Sequence, residues 1–408
     1  MKCRFCQNEL THEFVDLGFS PPSNSYLKAE QLINPEVYFP LKIMVCDYCY
    51  LVQIDEVAKH NEIFNDEYAY FSSYSTSWLD HARKYSEMMI QRFGFNEKSL
   101  IIEIASNDGY LLKNFHQKNI PVLGIEPTSN TASVAISQGI KTEIDFFSTR
   151  LAEKLIAKDI KADLLLGNNV LAHVPDIKDF VQGLKLLLNN KGVITFEFPH
   201  LLKLIQENQF DTIYHEHFSY LSLNFIVKLF NKYNLDIFDV EEVSTHGGSL
   251  RIFAKHSNDN SKIISTNVAN LVKQEIEFGL NEIEFYKSFQ KKADTVKNHF
   301  LEFLLQTKKD GKSVIAYGAA AKGVTLLNYA GVRKDLIPYV IDASPHKQNR
   351  FIPGVHIPIV NIEIIKTIKP DFVVILPWNL KEEISSQLSY IKEWNGKFVV
   401  AIPELIVF

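Results

Sequence analysis

All four cysteines of this 408-residue chain lie within its first 49 positions, as two C-x-x-C pairs. The pairs are Cys3-x-x-Cys6 and Cys46-x-x-Cys49, and the 39 residues between them contain their own turn signal, Ser20 to Asn24. Paired C-x-x-C turns supply four thiolates to a tetrahedral Zn²⁺, whereas disulfides are unstable in a reducing compartment. A redox-active C-x-x-C and four unlinked buried thiols are the alternatives. Because four sulfur ligands leave no position for a substrate, the spacing predicts a structural zinc ion in a small N-terminal domain.

Length and charge restrict what the rest of the chain can be. A chain of 408 residues exceeds what one hydrophobic core usually supports, so we expect two or three domains. The formal net charge of -5 argues against a nucleic-acid partner. The first ten residues, MKCRFCQNEL, lack the apolar core of a signal peptide, and no apolar run approaches the roughly 18 residues that span a bilayer. We therefore expect a cytoplasmic protein with neither nucleic acid nor membrane as a partner.

Short apolar runs alternate with helical stretches in two separate parts of the chain. The first part contains SLIIEIA, PVLGIEP, ADLLLGNN and GVITFEFP, and the second contains KSVIAYGAAAKG, LIPYVID, DFVVILP and KFVVAIPEL. This alternation is typical of doubly wound α/β sheets. A polar, helix-rich stretch over residues 261–312 connects the two parts. We predict domain boundaries at 1–65, 66–258 and 259–408.

The first α/β part has the features of a site for S-adenosylmethionine (SAM). Strand IIEIA runs into Ser106-Asn107-Asp108-Gly109 and then into a helix, a layout that lets backbone approach a nucleotide-type ligand. Residues Glu103 to Gly109 form a glycine-poor E-x-A-x-N-x-G motif. Glu126, which ends the second strand 23 residues after Glu103, is placed to accept hydrogen bonds from two ribose hydroxyls. Asn168 and Asn169 end the following strand and should lie beside the same ligand.

The segment Tyr214-His215-Glu216-His217 concentrates ionisable side chains after the strand FEFPH. Two histidines beside a glutamate could bind a metal, but this would need a third ligand of suitable spacing. Histidine titrates near neutral pH, and a neighbouring carboxylate can fix its tautomer and raise its basicity. The segment therefore favours general acid–base chemistry. His173, in VLAHVPD, has a packing or capping role as its simpler explanation.

Two glycine-containing segments follow. Thr245 to Arg251, THGGSLR, could hold a polar ligand through Ser249 or Arg251, although a hairpin turn explains its glycines equally well. Gly318 to Gly323, GAAAKG, is a G-x-A-x-x-G variant of the dinucleotide fingerprint, with Asp342 19 residues further on. Alone it would suggest NAD, yet the same geometry serves any nucleotide diphosphate, and Lys322 adds a cation.

In their order along the chain, these motifs resemble the SAM-dependent sugar C-methyltransferases, typified by the C-3 methyltransferases of kijanose, tetronitrose and mycarose biosynthesis. The likeness spans essentially the whole chain. It includes the four cysteines, YAYFSSYSTSW, EIASNDGYLL, NNVLAHVPD, FEFPHL, YHEHFSYLS, THGGSLR and AYGAAAKG. It implies an α/β fold with an N-terminal zinc-binding domain, a central Rossmann-like SAM methyltransferase domain and a second, C-terminal Rossmann-like domain that binds the sugar nucleotide.

The resemblance also implies an activity, which is methylation at C-3' of a nucleotide-diphosphate-linked 4-keto-6-deoxysugar in deoxysugar, polysaccharide or glycoconjugate biosynthesis. A ketone acidifies the neighbouring C–H bond, so a base can form an enolate that takes the methyl group. The nucleotide, of the dTDP, GDP or CDP type, would lie between the middle and C-terminal domains. The implied roles are His217 as the base, Glu216 as its orienting or polarising carboxylate, and Tyr214 as a hydrogen-bond donor. His215 is the second candidate for the base.

Further contacts are implied around these catalytic residues. Those expected at the cofactor are Tyr70, Tyr74, Glu103, Ser106, Asn107, Asp108, Gly109, Glu126, Asn168 and Asn169. Those expected at the substrate are His200, His246, Ser249, Arg251, Tyr317, Gly318, Ala321 and Lys322. The alternative function is an NAD-dependent sugar-nucleotide oxidoreductase or epimerase, which leaves the zinc domain and the first nucleotide fold unexplained. A non-catalytic scaffold with degenerate nucleotide folds is the other alternative.

Overall fold

The computed structural model describes residues 1–55 and 71–408. In these residues the strands are β1 (His12–Ser20), β2 (Phe39–Val45), β3 (Val52–Ile54), β4 (Ile101–Ile104), β5 (Val122–Ile125), β6 (Thr142–Glu143), β7 (Ala162–Asn168), β8 (Leu188–Pro199), β9 (Ser219–Tyr220), β10 (Leu235–Val243), β11 (Ser249–His256), β12 (Val314–Tyr317), β13 (Val340–Ile341), β14 (Ile359–Val360), β15 (Phe372–Ile375), β16 (Lys397–Val400) and β17 (Ile406–Val407). The α-helices are α1 (Thr76–Phe93), α2 (Leu112–His116), α3 (Ser129–Ser137), α4 (Thr149–Ile156), α5 (Ile177–Leu187), α6 (Leu201–Gln206), α7 (Leu223–Lys232), α8 (Thr266–Phe278), α9 (Ile283–Tyr286), α10 (Phe289–Lys309), α11 (Ala321–Tyr329), α12 (Ile364–Ile368) and α13 (Lys381–Gln387).

The N-terminal sheet has four antiparallel strands in the order β1-β2-β3-β9. Its fourth strand, β9, comes from the middle of the chain, and Tyr220 of β9 pairs with Val52 of β3. One cysteine pair precedes β1, and the other lies between β2 and β3. Only Phe218 separates the segment Tyr214 to His217 from β9, so the sheet of the cysteine domain holds the chain close to one end of this segment.

The middle sheet has seven strands in the order β10-β11-β8-β7-β4-β5-β6. Strands β8, β7, β4, β5 and β6 are parallel, and β10 and β11 extend the sheet with antiparallel pairing. Strand β4 is buried along its whole length, as expected for a parallel strand covered on both faces, and Glu103 is its one charged residue. The carboxyl ends of β4, β5 and β7 bring the EIASNDG segment, Glu126 and Asn168-Asn169 to the same edge, where ligands of open α/β sheets bind.

The C-terminal sheet has six strands in the order β14-β13-β12-β15-β16-β17, all parallel except β17. The predicted α/β fold, with two largely parallel sheets besides the cysteine domain, is confirmed. The sharp chain turn after β12 carries Gly318, whose φ of +90° suits glycine. The domain boundaries at 65/66 and 258/259 stay a prediction.

The 21-residue helix α10 joins the N-terminal sheet to the C-terminal part of the chain. Phe289 at its start stacks on Phe14 of β1, with ring centroids 4.5 Å apart. Phe300 and Leu304, further along the helix, are buried in the same apolar core, which continues into the strands of the C-terminal sheet. Because this core is shared, the cysteine domain is attached firmly to the C-terminal domain. Within the described residues, no helix is long and apolar enough to cross a membrane.

Candidate active site

A cavity of about 850 Å³ lies where the three parts of the chain meet. The N-terminal segment contributes Asn24 to its wall, and the middle domain contributes the ends of β4, β5 and β7 together with His217. The C-terminal domain contributes Lys322 and Lys347. The cavity is large enough for two ligands, and its walls carry donors, acceptors and positive charge.

The four cysteine sulfurs form a compact cluster away from this cavity, all within 4.8 Å of one another. Sγ of Cys3 lies 3.6 Å from Sγ of Cys49, and Sγ of Cys6 lies 3.5 Å from Sγ of Cys46. A tetrahedron of Zn–S bonds of about 2.3 Å has edges of about 3.8 Å, so these sulfurs fit one zinc ion. Gln53 donates to Cys3 Sγ at 3.3 Å and supports the cluster from outside.

The loop after β4 is held by hydrogen bonds from its neighbours. Glu126 accepts from the backbone N–H of Asn107 at 2.9 Å and from that of Thr128 at 2.9 Å. Burial raises the pKa of Glu126, and these donors oppose the rise. Asn107 has a φ of +50°, and its side chain accepts from the N–H of Ser72. Both Asn107 and Glu126 line the cavity, and lone pairs of the Glu126 carboxylate can still accept from a ligand.

Four other residues of the motif lie outside the described lining of the cavity: Glu103 of β4 and Ser106, Asp108 and Gly109 of the loop itself. Burial, together with the charges of Asp108 and Glu126, raises the pKa of Glu103 well above its ordinary value. A Cβ on Gly109 would lie 2.6 Å from Ile140 Cδ1, and its φ is +78°. This explains why the glycine-poor motif keeps a glycine here.

Asn168 and Asn169 line the cavity at the carboxyl end of β7. Among the described residues, no hydrogen-bond partner reaches the buried Nδ2 of Asn168 or the buried Oδ1 of Asn169. The other amide atom of Asn169, Nδ2, lies 2.8 Å from Nε2 of His246. Buried polar atoms are normally paired, so this pattern suits a bound polar cofactor.

His217 lies in the cavity wall with a defined tautomer. Its Nδ1–H donates to the carbonyl oxygen of Thr212 at 2.9 Å, which leaves the lone pair on Nε2. The Tyr214 ring lies 4.0 Å away between centroids, and the His173 ring lies 4.6 Å away at 72°. Burial, with a smaller contribution from His173, lowers the pKa of His217 well below its ordinary value. The imidazole is therefore neutral at neutral pH.

The hydrogen bond that fixes His217 in the described residues goes to the backbone carbonyl of Thr212 and not to Glu216. The Glu216 carboxylate instead accepts from Nδ2 of Asn24 at 2.7 Å, and burial raises its pKa to about 7. His215 points the other way, with Nε2 3.2 Å from the carbonyl oxygen of Pro40, beside β2. The second candidate for the base thus lies outside the described lining of the cavity, whereas Tyr214, Glu216 and His217 are part of it.

The loop after β12 contributes Ala321 and Lys322 to the cavity. Lys322 Nζ donates to Asn379 Oδ1 at 2.7 Å and lies 4.7 Å from the centre of the Trp378 ring. Asp342, which an NAD site would direct at a ribose, accepts from the N–H of Ala319 at 2.7 Å. A Cβ on Gly318 would lie 2.5 Å from Pro377 Cδ, so Pro377 packs closely against this loop.

Three family models match successive parts of the chain: a proposed zinc-binding domain over residues 3–64, a methyltransferase domain over 78–240, and a C-methyltransferase C-terminal domain over 244–403. The chain is 33% identical over 403 residues to the C-methyltransferase NovU of Streptomyces niveus, and the alignment covers 99% of this chain and 96% of NovU. The chain belongs to the SAM-dependent C-methyltransferase family.

Solved structures also align with part of this C-methyltransferase. The PH0226 protein of Pyrococcus horikoshii aligns with a TM-score of 0.38 and 12% identity, covering 46% of this chain and 95% of that protein. Magnesium protoporphyrin IX methyltransferase of Synechocystis with bound SAM aligns with a TM-score of 0.34 and 14% identity, covering 43% of this chain and 78% of that protein.

Two cofactors follow from family membership together with the geometry. The enzyme uses SAM, and its methyltransferase domain offers the unsatisfied amides after β7 and the Glu126 carboxylate to a ligand. The four clustered cysteines bind the zinc ion. Both cofactor predictions are confirmed, and an NAD-dependent oxidoreductase does not fit this family.

Several residues expected at the substrate have other partners. His200 Nε2 lies 2.7 Å from Glu275 Oε1, Ser249 Oγ donates to the carbonyl of Thr245 at 3.0 Å, and Arg251 donates to Glu197 at 2.9 Å. These three side chains, with Tyr317 and Gly318, lie outside the described lining of the cavity, whereas His246 is part of it. Tyr70 lies outside the described residues, and Tyr74 ends the short 3-10 turn Ser72–Tyr74.

Other wall residues were not identified as site residues from sequence. Trp78 of α1 stacks on His81 with ring centroids 5.1 Å apart, and both line the cavity. Trp78 is the last residue of the aromatic segment YAYFSSYSTSW, so this motif could have indicated it as a site residue. Asn24 was seen only as part of a turn, and Lys347 lies in no recognised motif.

Proposed function

We propose that this C-methyltransferase methylates C-3' of a nucleotide-diphosphate-linked 4-keto-6-deoxysugar through an enolate. The observation that carries the proposal is His217, which is neutral, has its Nδ1–H engaged by Thr212, and lies in the wall between the SAM end and the C-terminal end of the cavity. The Nε2 lone pair of this neutral imidazole is available to take a proton from carbon, and because burial also makes the imidazole a weaker base, the transfer depends on stabilisation of the enolate.

Proton removal is the first task of the wall residues. Nε2 of His217 takes the proton from the carbon beside the ketone, and the electron pair moves toward the ketone oxygen. Tyr214, whose ring lies beside that of His217 at an angle of 34°, is placed to donate to that oxygen or to a neighbouring hydroxyl. Lys322 adds positive charge from the opposite domain, which favours the enolate over the ketone.

The C-terminal wall supports a diphosphate-linked substrate. Ala321 and Lys322 form the first turn of α11, where backbone N–H groups and the helix dipole favour an anion. Lys347 adds a second cation, and its Nζ donates to the carbonyl of Ala319 at 2.7 Å. Two lysines beside a helix N-terminus match the charge of a nucleotide diphosphate.

The opposite end of the cavity is assigned to SAM. We infer that Glu126 accepts from the ribose hydroxyls and that Asn107, Asn168 and Asn169 contact the rest of the cofactor. When bound, SAM supplies the methyl group on a sulfonium centre. This assignment leaves the middle of the cavity, beside His217, for the sugar ring.

The test is incubation in deuterated water with nucleotide-linked 4-keto-6-deoxysugars, followed by mass spectrometry and NMR. With SAM, we expect a gain of one methyl group on C-3. With S-adenosylhomocysteine instead, we expect exchange of the C-3 hydrogen for deuterium. The variant His217→Asn should lose both, whereas His215→Asn, altered two residues away outside the described cavity lining, should retain most of the exchange per folded molecule.

Two results would contradict the proposal in different ways. Methylation on oxygen would exclude carbon transfer to this substrate class. Methylation at C-5, the other carbon beside the ketone, would keep the enolate route and exclude the assignment to C-3.

A further inference from the structure

The zinc-stapled N-terminal domain reaches into the cavity through the segment between β1 and β2. The N–H of Ser25 donates to the carbonyl of Pro22 at 3.1 Å and closes a turn around Asn24. Tyr26 then donates its hydroxyl to the carbonyl of Ala319 at 2.6 Å. Leu27 forms an isolated bridge with Phe351. The turn is therefore fixed on the C-terminal domain, and Asn24 at its tip lines the cavity.

At this tip Asn24 meets a residue 192 positions away in the chain. Its Nδ2 donates to Oε1 of Glu216 at 2.7 Å. Glu216 is buried, with 2% of its surface exposed, and it precedes His217 directly. Burial raises the pKa of Glu216 to about 7, and the hydrogen bond from Asn24 acts in the opposite direction. An amide donor favours the ionised carboxylate and fixes its direction.

We propose that Asn24 is a positioning residue for methyl transfer, and that it acts by holding the Glu216 carboxylate in the cavity wall beside His217. The inference rests on the proposed role of the segment Tyr214 to His217. A purely structural Asn24 would only join the N-terminal domain to the middle domain. A positioning role and a structural role of Asn24 make different predictions for Glu216. Only in a positioning role do the ionisation and orientation of the Glu216 carboxylate affect turnover.

Other titratable groups also surround Glu216. Tyr26 is close enough for the Glu216 charge to contribute to raising the pKa of its phenol, after burial and Asp342. His173 and His217 of the middle domain and Lys322 and Lys347 of the C-terminal domain line the same cavity. Burial lowers the pKa of His173 to about 4 and that of His217 well below its ordinary value, so both are neutral where Glu216 titrates. A titration near pH 7 should therefore come from Glu216, and it should disappear in the variant Glu216→Gln.

The experiment compares Asn24→Ala and Asn24→Asp with wild type in the full-length, zinc-loaded enzyme. Loss of a hydrogen bond to a charged group predicts a fall in kcat of about 10- to 100-fold for Asn24→Ala, with SAM affinity within about twofold of wild type. Asn24→Asp should lose more, because two adjacent carboxylates would share one proton at neutral pH. Tyr38→Phe is the control, since it removes a different hydrogen bond of the N-terminal domain: the Tyr38 hydroxyl donates to the Gly354 carbonyl of the C-terminal domain at 3.1 Å, away from Glu216.

A second readout does not depend on the sugar substrate. Carbon-13 NMR of protein labelled at its glutamate carboxyl carbons follows the titration of Glu216 directly. Asn24→Ala should raise the pKa of Glu216, because the hydrogen bond favours the charged form, and Tyr38→Phe should leave it unchanged. Wild-type kcat or an unshifted Glu216 titration in Asn24→Ala would overturn the inference. The inference would also be overturned if Tyr38→Phe lost as much activity as Asn24→Ala for the same decrease in Tm.

The two proposals fail separately. If wild type methylates none of the keto-sugars but Asn24→Ala still shifts the Glu216 titration, the substrate proposal is wrong and the result supports the control of Glu216 by Asn24. If wild type methylates C-3 and Asn24→Ala is as active, the role of Asn24 is wrong and the proposed function stands.

Discussion

Replacing Glu197 by glutamine tests whether a buried ionic network fixes one wall of the cavity. The Glu197 side chain in β8 has 0% of its surface exposed. Its carboxylate lies 2.8 Å from His81 Nε2 and accepts from Arg251 at 2.9 Å and from the Thr245 hydroxyl at 2.6 Å. Thr245 begins the turn that carries His246 into the cavity. The network therefore joins β8 to residues of the wall.

The size of the effect follows from the protonation of Glu197. Burial raises the pKa of this carboxyl, but His81, Arg251 and Thr245 outweigh burial and lower the pKa from 4.5 to about 2. A lowering of this size corresponds to about 3 kcal/mol in favour of the folded state. Because the folded pKa is the lower one, this stability is fully present above pH 4.5 and is lost as the pH falls toward 2. Glu197 stays ionised in both the folded and the unfolded state between pH 5.5 and 8, so its own titration adds no pH dependence there.

The assay is urea unfolding, followed by tryptophan fluorescence and circular dichroism at pH 5.5, 7 and 8. We expect Glu197→Gln to lower the free energy of unfolding by about 3 kcal/mol at all three pH values. Glu241→Gln is the control, because Glu241 also binds Arg251, at 3.0 Å, but has 35% of its side chain exposed. Its loss should be about 0–1 kcal/mol. Equal losses in the two variants, or a Glu197→Gln loss that halves at pH 5.5, would refute the reasoning.

Two further predictions concern the cofactor sites. Gly109→Ala should weaken SAM binding in calorimetry and lower the Tm, because the residue has a φ of +78° and its new Cβ would lie 2.6 Å from Ile140 Cδ1 and 3.2 Å from Ala135 Cβ. Gly94→Ala has the same handedness of φ but open space around it, so it should cost less, about 1–2 kcal/mol, and leave SAM binding unchanged. Elemental analysis should find one zinc ion per chain. Cys49→Ser should lose the metal, lower the Tm and reduce methyl transfer. An unchanged Tm in the zinc-free protein would show that the ion does not stabilise the domain.

The parts of the structure that are encoded locally could be predicted from sequence. The zinc cluster was visible because each C-x-x-C turn places two sulfurs within the same few residues, so only the meeting of two turns had to be inferred. The alternating apolar runs predicted both large sheets for the same reason. The edge that carries Glu126 and Asn169 then followed from the rule that ligands bind at the carboxyl ends of parallel strands.

The directions of the side chains in the segment Tyr214 to His217 could not be predicted in this way. His215 and His217 are two residues apart in a turn, and only tertiary contacts decide which one enters the cavity. The carbonyl of Pro40 takes His215, and the carbonyl of Thr212 takes the Nδ1–H of His217. Neither acceptor has a sequence signature, because every residue has a carbonyl. The partner of Arg251 could not be predicted for a similar reason, since a motif does not reveal that the buried Glu197 lies across the strand pair.

The cysteine domain shows why a zinc ion outside the reaction can still matter to it. The ion stabilises the turns on either side of β1 and β2, and the segment between these strands carries Asn24 to Glu216. Strand β9, which begins two residues after His217, pairs with β3 of the same domain. The small N-terminal sheet therefore contacts the segment Tyr214 to His217 in two ways, through Asn24 at Glu216 and through β9 just after His217. Loss of zinc should impair the proposed proton removal before it impairs SAM binding, because Glu126 and Asn169 directly follow strands of the middle sheet.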